Sequence, residues 1–490
     1  MLFYYSIIPL VIIMKSIKFA MPSLKEAKLR KNIDIETVRY TLEDKYKDLG
    51  KGKSYYIFTY GCQGNEADSE VMSGILENIG YTLSTDPMNS DVVLLNTCAI
   101  RENAEQRIWG VLGQLKGRKR EHPDMIIGIC GCMPQEENAT NKILESYDFI
   151  DLVFGTHNRD HLPQLIYQAY LTKAKVVEVL SNQGNILEDA PKVRASKHKA
   201  WVNIMFGCDE FCTYCIVPYT RGRERSRAKD DIIAEVKELV ANGYKEVTLL
   251  GQNVNAYGKD LGIDYTFGDL LYDLDKTGIE RIRYTTSHPR DLDEKTMLAM
   301  RDCKSVMPHL HLPVQSGDND ILKIMNRKYT YEDYMAKITR LKELVPHISI
   351  TTDIIVGFPN ETEEQFQNTL KLCHNVGYEG AFTFIYSPRE GTPAAKMPDS
   401  TPEDEKKQRL LRLNEVINAG YKKGHERFLN KVVNVLVDGE SKNGEGMMCG
   451  YSENLKLTHF KSTDMSLVGK TVKVKVTEAK TWFMIGELCE

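Results

Sequence analysis

The segment that decides the fold of the catalytic part of the chain is Gly207-Cys-Asp-Glu-Phe-Cys-Thr-Tyr-Cys215. It spaces three cysteines as C-x3-C-x2-C, with no fourth cysteine nearby. A fully protein-ligated 4Fe-4S cluster needs four thiolates, so three leave one iron open. Incomplete coordination is typical of catalytic metal sites. We therefore predict a 4Fe-4S cluster on Cys208, Cys212 and Cys215, whose open iron binds S-adenosylmethionine through its amino and carboxylate groups.

Two other uses of these cysteines are weaker. A structural zinc site is disfavoured because C-x3-C departs from the usual zinc spacing and the next cysteine, Cys303, lies far downstream. A disulfide relay would use Cys212 and Cys215 as a C-x2-C pair, but it leaves Cys208 without a role.

The composition describes an ordinary globular protein of two to four domains. The chain has 490 residues, 42% of them hydrophobic and 27% charged, with a formal net charge of −4. These values exclude global disorder and a wholly basic nucleic-acid binder, so any RNA binding must rest on local patches. The eleven cysteines are few and clustered at ligand spacing, which favours a reducing cytoplasm over a secreted, disulfide-stapled protein.

Residues 1–52 are predicted to be an amino-terminal tail. Residues 1–14 are apolar, but they lack the basic start and the cleavage site of a signal peptide, and they are shorter than the ~20 apolar residues that span a bilayer. Met14 and Met21 offer later starts, so we expect this apolar run to be non-functional and the protein to have no membrane segment. Residues 22–50 are predicted to be a helical or mobile lead-in.

Residues 53–171 alternate strand-like runs with amphipathic helix patterns, which predicts a parallel sheet covered by helices. Three cysteines follow successive predicted strands, and loops beyond the carboxyl ends of such strands line one crevice. We therefore predict a second three-cysteine cluster on Cys62, Cys98 and Cys132. The alternatives are that these are small core residues, or that Cys130, inside a strand-like run, replaces Cys132.

Residues 172–196 are predicted to be a linker, and residues 197–426 a catalytic domain in which about six strand–helix units form a barrel or part of one. Polar residues just after its strands are candidates for holding S-adenosylmethionine, and a tyrosine between two cluster cysteines could lie beside the adenine. Ordinary loop polarity or capping is the alternative for each of them. These candidates are Tyr214, Gln252, Asn253, Ser287 and Gln315.

Residues 427–490 are predicted to form a small β-barrel, because two runs alternate with period two around a turn-rich segment. A basic helical stretch precedes it, from Lys406 to Arg427. Lys473, Lys475 and Lys480 are candidates for contacting RNA phosphates, although isolated lysines are usually only surface residues.

Several blocks together resemble the radical S-adenosylmethionine methylthiotransferase family, over about residues 53–490. The blocks are the loop 205–227, Leu249-Leu-Gly-Gln-Asn-Val-Asn-Ala-Tyr257, Tyr284-Thr-Thr-Ser-His-Pro289, His311-Leu-Pro-Val-Gln-Ser-Gly317 and Asp353-Ile-Ile-Val-Gly-Phe-Pro359. Gly61-Cys-Gln-Gly-Asn65 and Asn96-Thr-Cys-Ala-Ile-Arg101 resemble the first ligand loops of the family's auxiliary cluster, and Gly131-Cys-Met133 resembles the third. Gly64 is a small departure, and we expect it to touch no ligand.

The resemblance implies an α/β protein with a Rossmann-like amino-terminal domain, a partial (βα)6 radical-SAM barrel and a carboxy-terminal TRAM barrel that binds RNA. It implies two 4Fe-4S clusters, with one S-adenosylmethionine giving the methyl group and another the radical. Residues 249–257 and 284–289 resemble the group that acts on carbon 2 of N6-isopentenyladenosine beside the anticodon of tRNA. Sister groups modify threonylcarbamoyl-adenosine in tRNA or an aspartate of a ribosomal protein.

The expected partners are the tRNA anticodon stem-loop and a reduced flavodoxin or a ferredoxin-type electron donor, for a cytoplasmic monomer. A non-catalytic iron–sulfur or RNA-binding regulator is a remote alternative, because none of the six cluster cysteines is missing.

Overall fold

The computed structural model describes residues 21–29, 36–99, 102–180, 184–442 and 444–489, without the side chains of residues 102–106. Residues 1–20, which contain the apolar run of the predicted tail, lie outside these ranges. The described chain begins with helix α1 (Leu24–Leu29) and strand β1 (Thr37–Arg39). No helix in the described ranges is long and apolar enough to cross a membrane.

The amino-terminal domain is a six-stranded parallel sheet with helices on both faces. Its strands are β2 (Ser54–Tyr60), β3 (Thr82–Leu83), β4 (Val92–Thr97), β5 (Ile126–Gly131), β6 (Leu152–Phe154) and β7 (Val176–Glu178), in the spatial order β3-β2-β4-β5-β6-β7. Its helices are α2 (Gln63–Asn78), α3 (Glu102–Glu121), α4 (Glu137–Ser146) and α5 (Leu162–Thr172). Side chains alternate along β4: Val92 and Leu94 pack with α2 and α5, whereas Val93 and Leu95 pack with α3 and α4. The predicted parallel α/β domain is confirmed.

Two predicted segments contain more structure than the sequence indicated. Strand β7 pairs with β6 at the edge of the sheet, and β8 (Ile186–Glu188) pairs in parallel with β1, so residues 172–196 are not a plain linker. Within the predicted tail 1–52, Tyr46 is buried in the same core as Tyr55. Three-residue strands and a single 3-10 turn carry too little periodicity to be recognised in the sequence.

Six parallel strands form a partial barrel after this domain. They are β9 (Lys199–Asn203), β12 (Glu246–Leu250), β13 (Arg281–Tyr284), β14 (His309–His311), β15 (Ser349–Val356) and β16 (Ala381–Ile385). The first three strands form one sheet and the last three form another. A parallel bridge between Ile282 of β13 and Val306, which precedes β14, connects the two sheets. The covering helices are α7 (Lys229–Ala241), α8 (Phe267–Asp275), α9 (Glu294–Asp302), α10 (Asn319–Ile324), α11 (Tyr331–Leu344), α12 (Glu363–Val376) and α13 (Glu403–Glu426). The predicted six-unit barrel is confirmed.

A two-stranded hairpin closes the base of the first cysteine-rich loop. Strands β10 (Met205–Phe206) and β11 (Arg225–Ser226) pair antiparallel, and the loop between them carries the short helix α6 (Val217–Thr220). Gly207 opens the loop with φ 72°, and a Cβ there would lie 2.0 Å from the carbonyl oxygen of Arg223. Only glycine fits where the backbone at position 207 passes this close to the backbone of Arg223.

The carboxy-terminal domain is a closed five-stranded barrel, as predicted. Its strands are β17 (Val432–Glu440), β18 (Met447–Ser452), β19 (Leu457–Lys461), β20 (Thr471–Ala479) and β21 (Met484–Leu488), in the order β17-β18-β19-β21-β20. Inward side chains such as Val435, Phe460 and Val476 form its core.

This small barrel docks against the amino ends of the large barrel's strands. Arg283 donates to the carbonyl oxygens of Ser452 (2.7 Å) and Glu453 (3.0 Å), and its Nε lies 2.8 Å from the Glu246 carboxylate. Arg281 donates to the carbonyl oxygens of Tyr451 and Asn434. Because these guanidiniums are buried, the two barrels are held by directional, buried contacts.

Arg283→Ala is expected to destabilise the protein by about 3–5 kcal/mol, because it leaves the Glu246 carboxylate and two carbonyls buried without their partner. Thermal unfolding and limited proteolysis near residue 430 measure the effect. Arg301→Ala is the matched control, since Arg301 is exposed and pairs with the neighbouring Asp302. Equal unfolding midpoints for the two variants would contradict this account of the docking.

Most basic side chains of helix α13 have structural partners and do not form an open RNA-binding face. Arg409 is fully buried and donates to the carbonyl and carboxylate of Glu361, and Lys406 is buried beside Asp399. Arg412 pairs with Glu363. The sequence did not reveal this because these acidic partners lie in earlier segments of the chain.

Candidate active site

Three cysteines meet at the carboxyl ends of neighbouring strands of the amino-terminal sheet. Cys62 follows β2 and caps α2, Cys98 follows β4, and Cys132 follows β5. The buried Asn65 side chain fixes these loops together by donating to Asn96 Oδ1 (3.0 Å) and to the carbonyl oxygen of Thr97 (3.2 Å). The structure therefore brings the second predicted cysteine set together.

Cys130 does not join this group. It is buried within β5, where its thiol lies 3.8 Å from Met72 Sδ, in the core on one face of the sheet. Burial raises the pKa of its thiol strongly. These surroundings favour Cys130 as a core residue and agree with the choice of Cys132.

The Cys132 thiol has a cationic partner from the other domain. Arg221, just after α6, donates from Nε to Cys132 Sγ at 3.2 Å, and its Nη2 pairs with Asp68 at 3.1 Å. Burial raises the pKa of the Cys132 thiol to about 12, Arg221 lowers it, and Cys98 and Cys62 raise it. A site that buries thiols in this way needs a cation to hold them as thiolates.

Cys208, Cys212 and Cys215 lie in the loop that connects β10 to β11, after β9. Burial raises the pKa of Cys208 well above its usual range and that of Cys215 to about 12, and neighbouring thiols of the set add to both shifts. Arg327, buried after α10, donates from Nη1 to Cys212 Sγ at 3.3 Å. The structure therefore brings the first predicted cysteine set together, and the Arg327 guanidinium is its cationic partner.

The compactness of each cysteine set bears on whether it could hold a single zinc ion. Four sulfurs around one zinc lie about 3.8 Å apart, given a Zn–S bond of about 2.3 Å. Among the described residues, the only group of three possible ligands that each place one ligand atom within 4.8 Å of the others is Glu210, His288 and Asp291. Neither cysteine set meets this criterion, which disfavours the zinc alternative.

The Glu210, His288 and Asp291 group is already neutralised by cations. Asp291 accepts hydrogen bonds from Arg290 (2.9 Å) and Asn253 (2.6 Å), and Arg290 also pairs with Glu210. We interpret the group as an ion-pair network that supports the cluster loop.

Buried hydrogen-bonding atoms without a partner gather beside this network. Within the described chain, they include Asn253 Oδ1, Ser287 Oγ and both amide atoms of Asn255. Each follows β12 or β13, at the carboxyl end of the barrel. Buried polar atoms are almost always satisfied, so these atoms fit a polar ligand bound at this position.

The other residues predicted to hold S-adenosylmethionine lie in different surroundings. Gln315 sits in the left-handed region (φ 69°), and its backbone bridges to Ile354 of β15. Gln252 is half-buried after β12. Tyr214 packs against an apolar cluster that includes Phe358 and Met325. Asn255, Arg221 and Arg327 were missed, although Asn255 lies two residues from Asn253 in the same block and Arg221 lies within the quoted cluster loop.

Comparison with known proteins identifies the family. Family models match the Radical SAM superfamily over residues 202–373, the uncharacterized protein family UPF0004 over 54–155 and the TRAM domain over 426–489. The chain is 54% identical over 471 residues to the tRNA-2-methylthio-N(6)-dimethylallyladenosine synthase of Bacillus cytotoxicus, covering 96% of this chain and 92% of that protein. The chain belongs to this family of methylthiotransferases. The synthase of Geobacillus thermodenitrificans is 53% identical over 472 residues, with 96% and 90% covered.

A solved structure supports the fold. The radical S-adenosylmethionine methyltransferase TsrM from Kitasatospora setae superposes with a TM-score of 0.51 at 13% identity, covering 68% of this chain and 72% of that one. Membership of the radical SAM family implies a 4Fe-4S cluster and S-adenosylmethionine for this methylthiotransferase.

Proposed function

We propose that this methylthiotransferase converts N6-isopentenyladenosine next to the anticodon of tRNA into its 2-methylthio derivative. The observation that carries the proposal is the pair of three-cysteine sets, one in each domain, with Arg221 reaching from the loop of one set to Cys132 of the other. Relatives at 53–54% identity are named for this reaction. Modification of threonylcarbamoyl-adenosine or of a ribosomal protein remains the alternative.

The two cysteine sets have different roles in the proposed reaction. Cys208, Cys212 and Cys215 hold a 4Fe-4S cluster that, when bound, supplies the electron for reductive cleavage of S-adenosylmethionine. Asn253 and Ser287 orient that cofactor through their unpaired buried atoms. Cys62, Cys98 and Cys132 hold a second 4Fe-4S cluster, and Arg221 stabilises the Cys132 thiolate.

RNA binding by the carboxy-terminal barrel is part of the proposal. Lys473, Lys475 and Lys480 are exposed on or beside β20, where their ammonium groups can reach phosphates. The partners are the tRNA anticodon stem-loop and a flavodoxin or ferredoxin-type reductant, and the protein acts as a monomer in the cytoplasm.

The adenine and its prenyl group have an aromatic surface available on the last barrel strand. Phe382 is 60% and Phe384 46% exposed, although both are large apolar residues in a barrel strand. Thr383, between them, donates a hydrogen bond to Asn414 of helix α13 on the outside of the barrel. Because side chains alternate along a strand, the two phenylalanine rings face the inside of the barrel. Exposed aromatic rings of this kind are typical platforms for an unstacked base.

Phe384→Ala is expected to raise the KM for isopentenylated tRNA about tenfold, because base–aromatic stacking contributes about 1–3 kcal/mol. Phe384→Tyr keeps the ring and should stay within about twofold of the wild type. Steady-state kinetics with purified tRNA measure both variants. An alanine variant with an unchanged KM would remove Phe384 from the substrate site.

The test of the function is anaerobic reconstitution with S-adenosylmethionine, dithionite and tRNA containing isopentenyladenosine, followed by mass spectrometry of the digested nucleosides. A methylthio-isopentenyl product supports the proposal. Ample 5′-deoxyadenosine without that product would discard the substrate and direct the search to threonylcarbamoyl-tRNA and the ribosomal protein.

A further inference from the structure

A carboxylate faces the inside of the large barrel beside the exposed rings of Phe382 and Phe384. On β15, Ile354 is buried in the hydrophobic core that packs against the covering helices, whereas the side chain of Asp353 is 29% exposed. Because side chains alternate along a strand, Asp353 points to the inner side. In the parallel register, Asp353 lies opposite Phe382 of β16. The two strands therefore place a carboxylate next to an aromatic ring.

A histidine of the neighbouring strand β14 holds this carboxylate in position. The His311 ring lies 6.0 Å from that of Phe382, edge to face at 74°, and its Nε2 lies 3.3 Å from Asp353 Oδ1. Its other ring nitrogen, Nδ1, lies 3.0 Å from Thr351 Oγ1, which is also 3.1 Å from Nε2 of His309. These contacts fix the His311 ring before any ligand arrives, which lowers the ordering cost of binding.

The Asp353 carboxylate has acceptor sites to spare. Within the described ranges, His311 is its ion-pair partner, and no residue donates a hydrogen bond to either of its oxygens. Glu246 of β12 differs, because the Arg283 guanidinium donates to its carboxylate at 2.8 Å. A carboxylate offers about four lone-pair sites on its two oxygens. A partly exposed carboxylate of this kind, next to an aromatic ring, suits a flat ligand that carries an N–H donor on its edge.

We propose that Asp353 accepts a hydrogen bond from N6–H of the isopentenylated adenine and so determines which base the enzyme accepts. The inference rests on the proposed function, which supplies that base. A base stacked on an aromatic ring presents its edge to the side chains beside the ring, and N6–H is the only N–H group of this base. A carboxylate accepts that donor and repels a base with an oxygen at position 6. His311 is a positioning residue, because it acts through Asp353.

The test compares two synthetic anticodon stem-loop RNAs that differ at one position of one base. The first carries N6-isopentenyladenine, and the second carries 6-O-isopentenylpurine, in which an oxygen replaces N6–H. We expect wild-type holoenzyme to bind the first RNA about thirtyfold more tightly, because hydrogen bonds to charged groups are the strong ones. Fluorescence anisotropy with labelled RNA measures both dissociation constants.

Asp353→Ala should bind the two RNAs with dissociation constants within about twofold of each other, because the acceptor is gone. Asp353→Asn keeps a neutral acceptor and should retain part of the preference. Asp302→Ala is the matched control, since Asp302 is an exposed carboxylate that pairs with Arg301, and it should keep the full preference. Partial unfolding of a variant would weaken the binding of both RNAs alike, so the ratio of the two constants separates recognition from folding.

Equal affinity of the wild type for the two RNAs would overturn the proposal without any variant. The full preference in Asp353→Ala would overturn it too, since the discrimination would then come from another group. Formation of the methylthio product from the first RNA is measured in parallel. A wild type that prefers this RNA through Asp353 but makes no product would keep the base-reading site and reject the proposed function. Product formation with equal affinities would do the reverse.

Discussion

Cys132→Ala is expected to abolish the methylthio product while S-adenosylmethionine is still cleaved to 5′-deoxyadenosine. Cys132 is the third thiol of the set at the ends of β2, β4 and β5, and it receives the Arg221 hydrogen bond. Removing it takes one ligand from the second cluster and leaves Cys208, Cys212 and Cys215 in place. Bound iron should fall by about four atoms per chain. Nucleoside mass spectrometry, 5′-deoxyadenosine assays and iron analysis measure the three effects.

Cys130→Ala is the matched control because Cys130 is a buried thiol only two residues away. It lies against Met72 in the core of the sheet. Its loss should cost about 1 kcal/mol of stability from the lost packing of one sulfur, with product and iron retained. If Cys130→Ala loses the product and Cys132→Ala keeps it, the assignment of the third ligand is reversed.

Cys212→Ala is expected to have the second large effect on activity, and it should remove S-adenosylmethionine cleavage as well as the methylthio product. Cys212 is buried on the cluster loop and accepts a hydrogen bond from Arg327. Without this ligand, we expect both the methylthio product and 5′-deoxyadenosine to fall to background, because the cluster that activates S-adenosylmethionine is no longer held. The same assays distinguish this double loss from the single loss expected for Cys132→Ala.

Cys303→Ala is the control for this second variant, since Cys303 is also buried but lies in the hydrophobic core of the barrel. It should retain both products. If Cys212→Ala still forms 5′-deoxyadenosine at the wild-type rate, the loop does not carry the cluster that we assign to it.

The positions of the cysteines could be predicted because a simple rule connects sequence to space. Cys62, Cys98 and Cys132 each follow a strand-like run, and the carboxyl ends of parallel strands meet at one edge. The barrel polar residues Asn253 and Ser287 were found in the same way. In these cases, local periodicity alone determines where the side chain emerges.

Features that depend on distant partners could not be predicted. Arg409 lies in the basic stretch from Lys406 to Arg427, yet Glu361, 48 positions earlier in the chain, accepts its hydrogen bonds inside the protein. The Arg221 contact with Cys132 joins residues 89 positions apart in different domains. A single sequence carries no signal for such pairs, since either arginine alone resembles an ordinary surface charge.

The docking of the small barrel has a consequence for how RNA is selected. Arg283 fixes that barrel at the amino ends of the large barrel's strands, whereas the cysteine loop follows their carboxyl ends. A five-residue strand separates the two ends by about 17 Å. Under the proposed function, one RNA must reach both places at once, and the rigid docking keeps their separation constant. The protein would then accept an adenosine only when it lies at a fixed distance from the RNA stem that the small barrel binds.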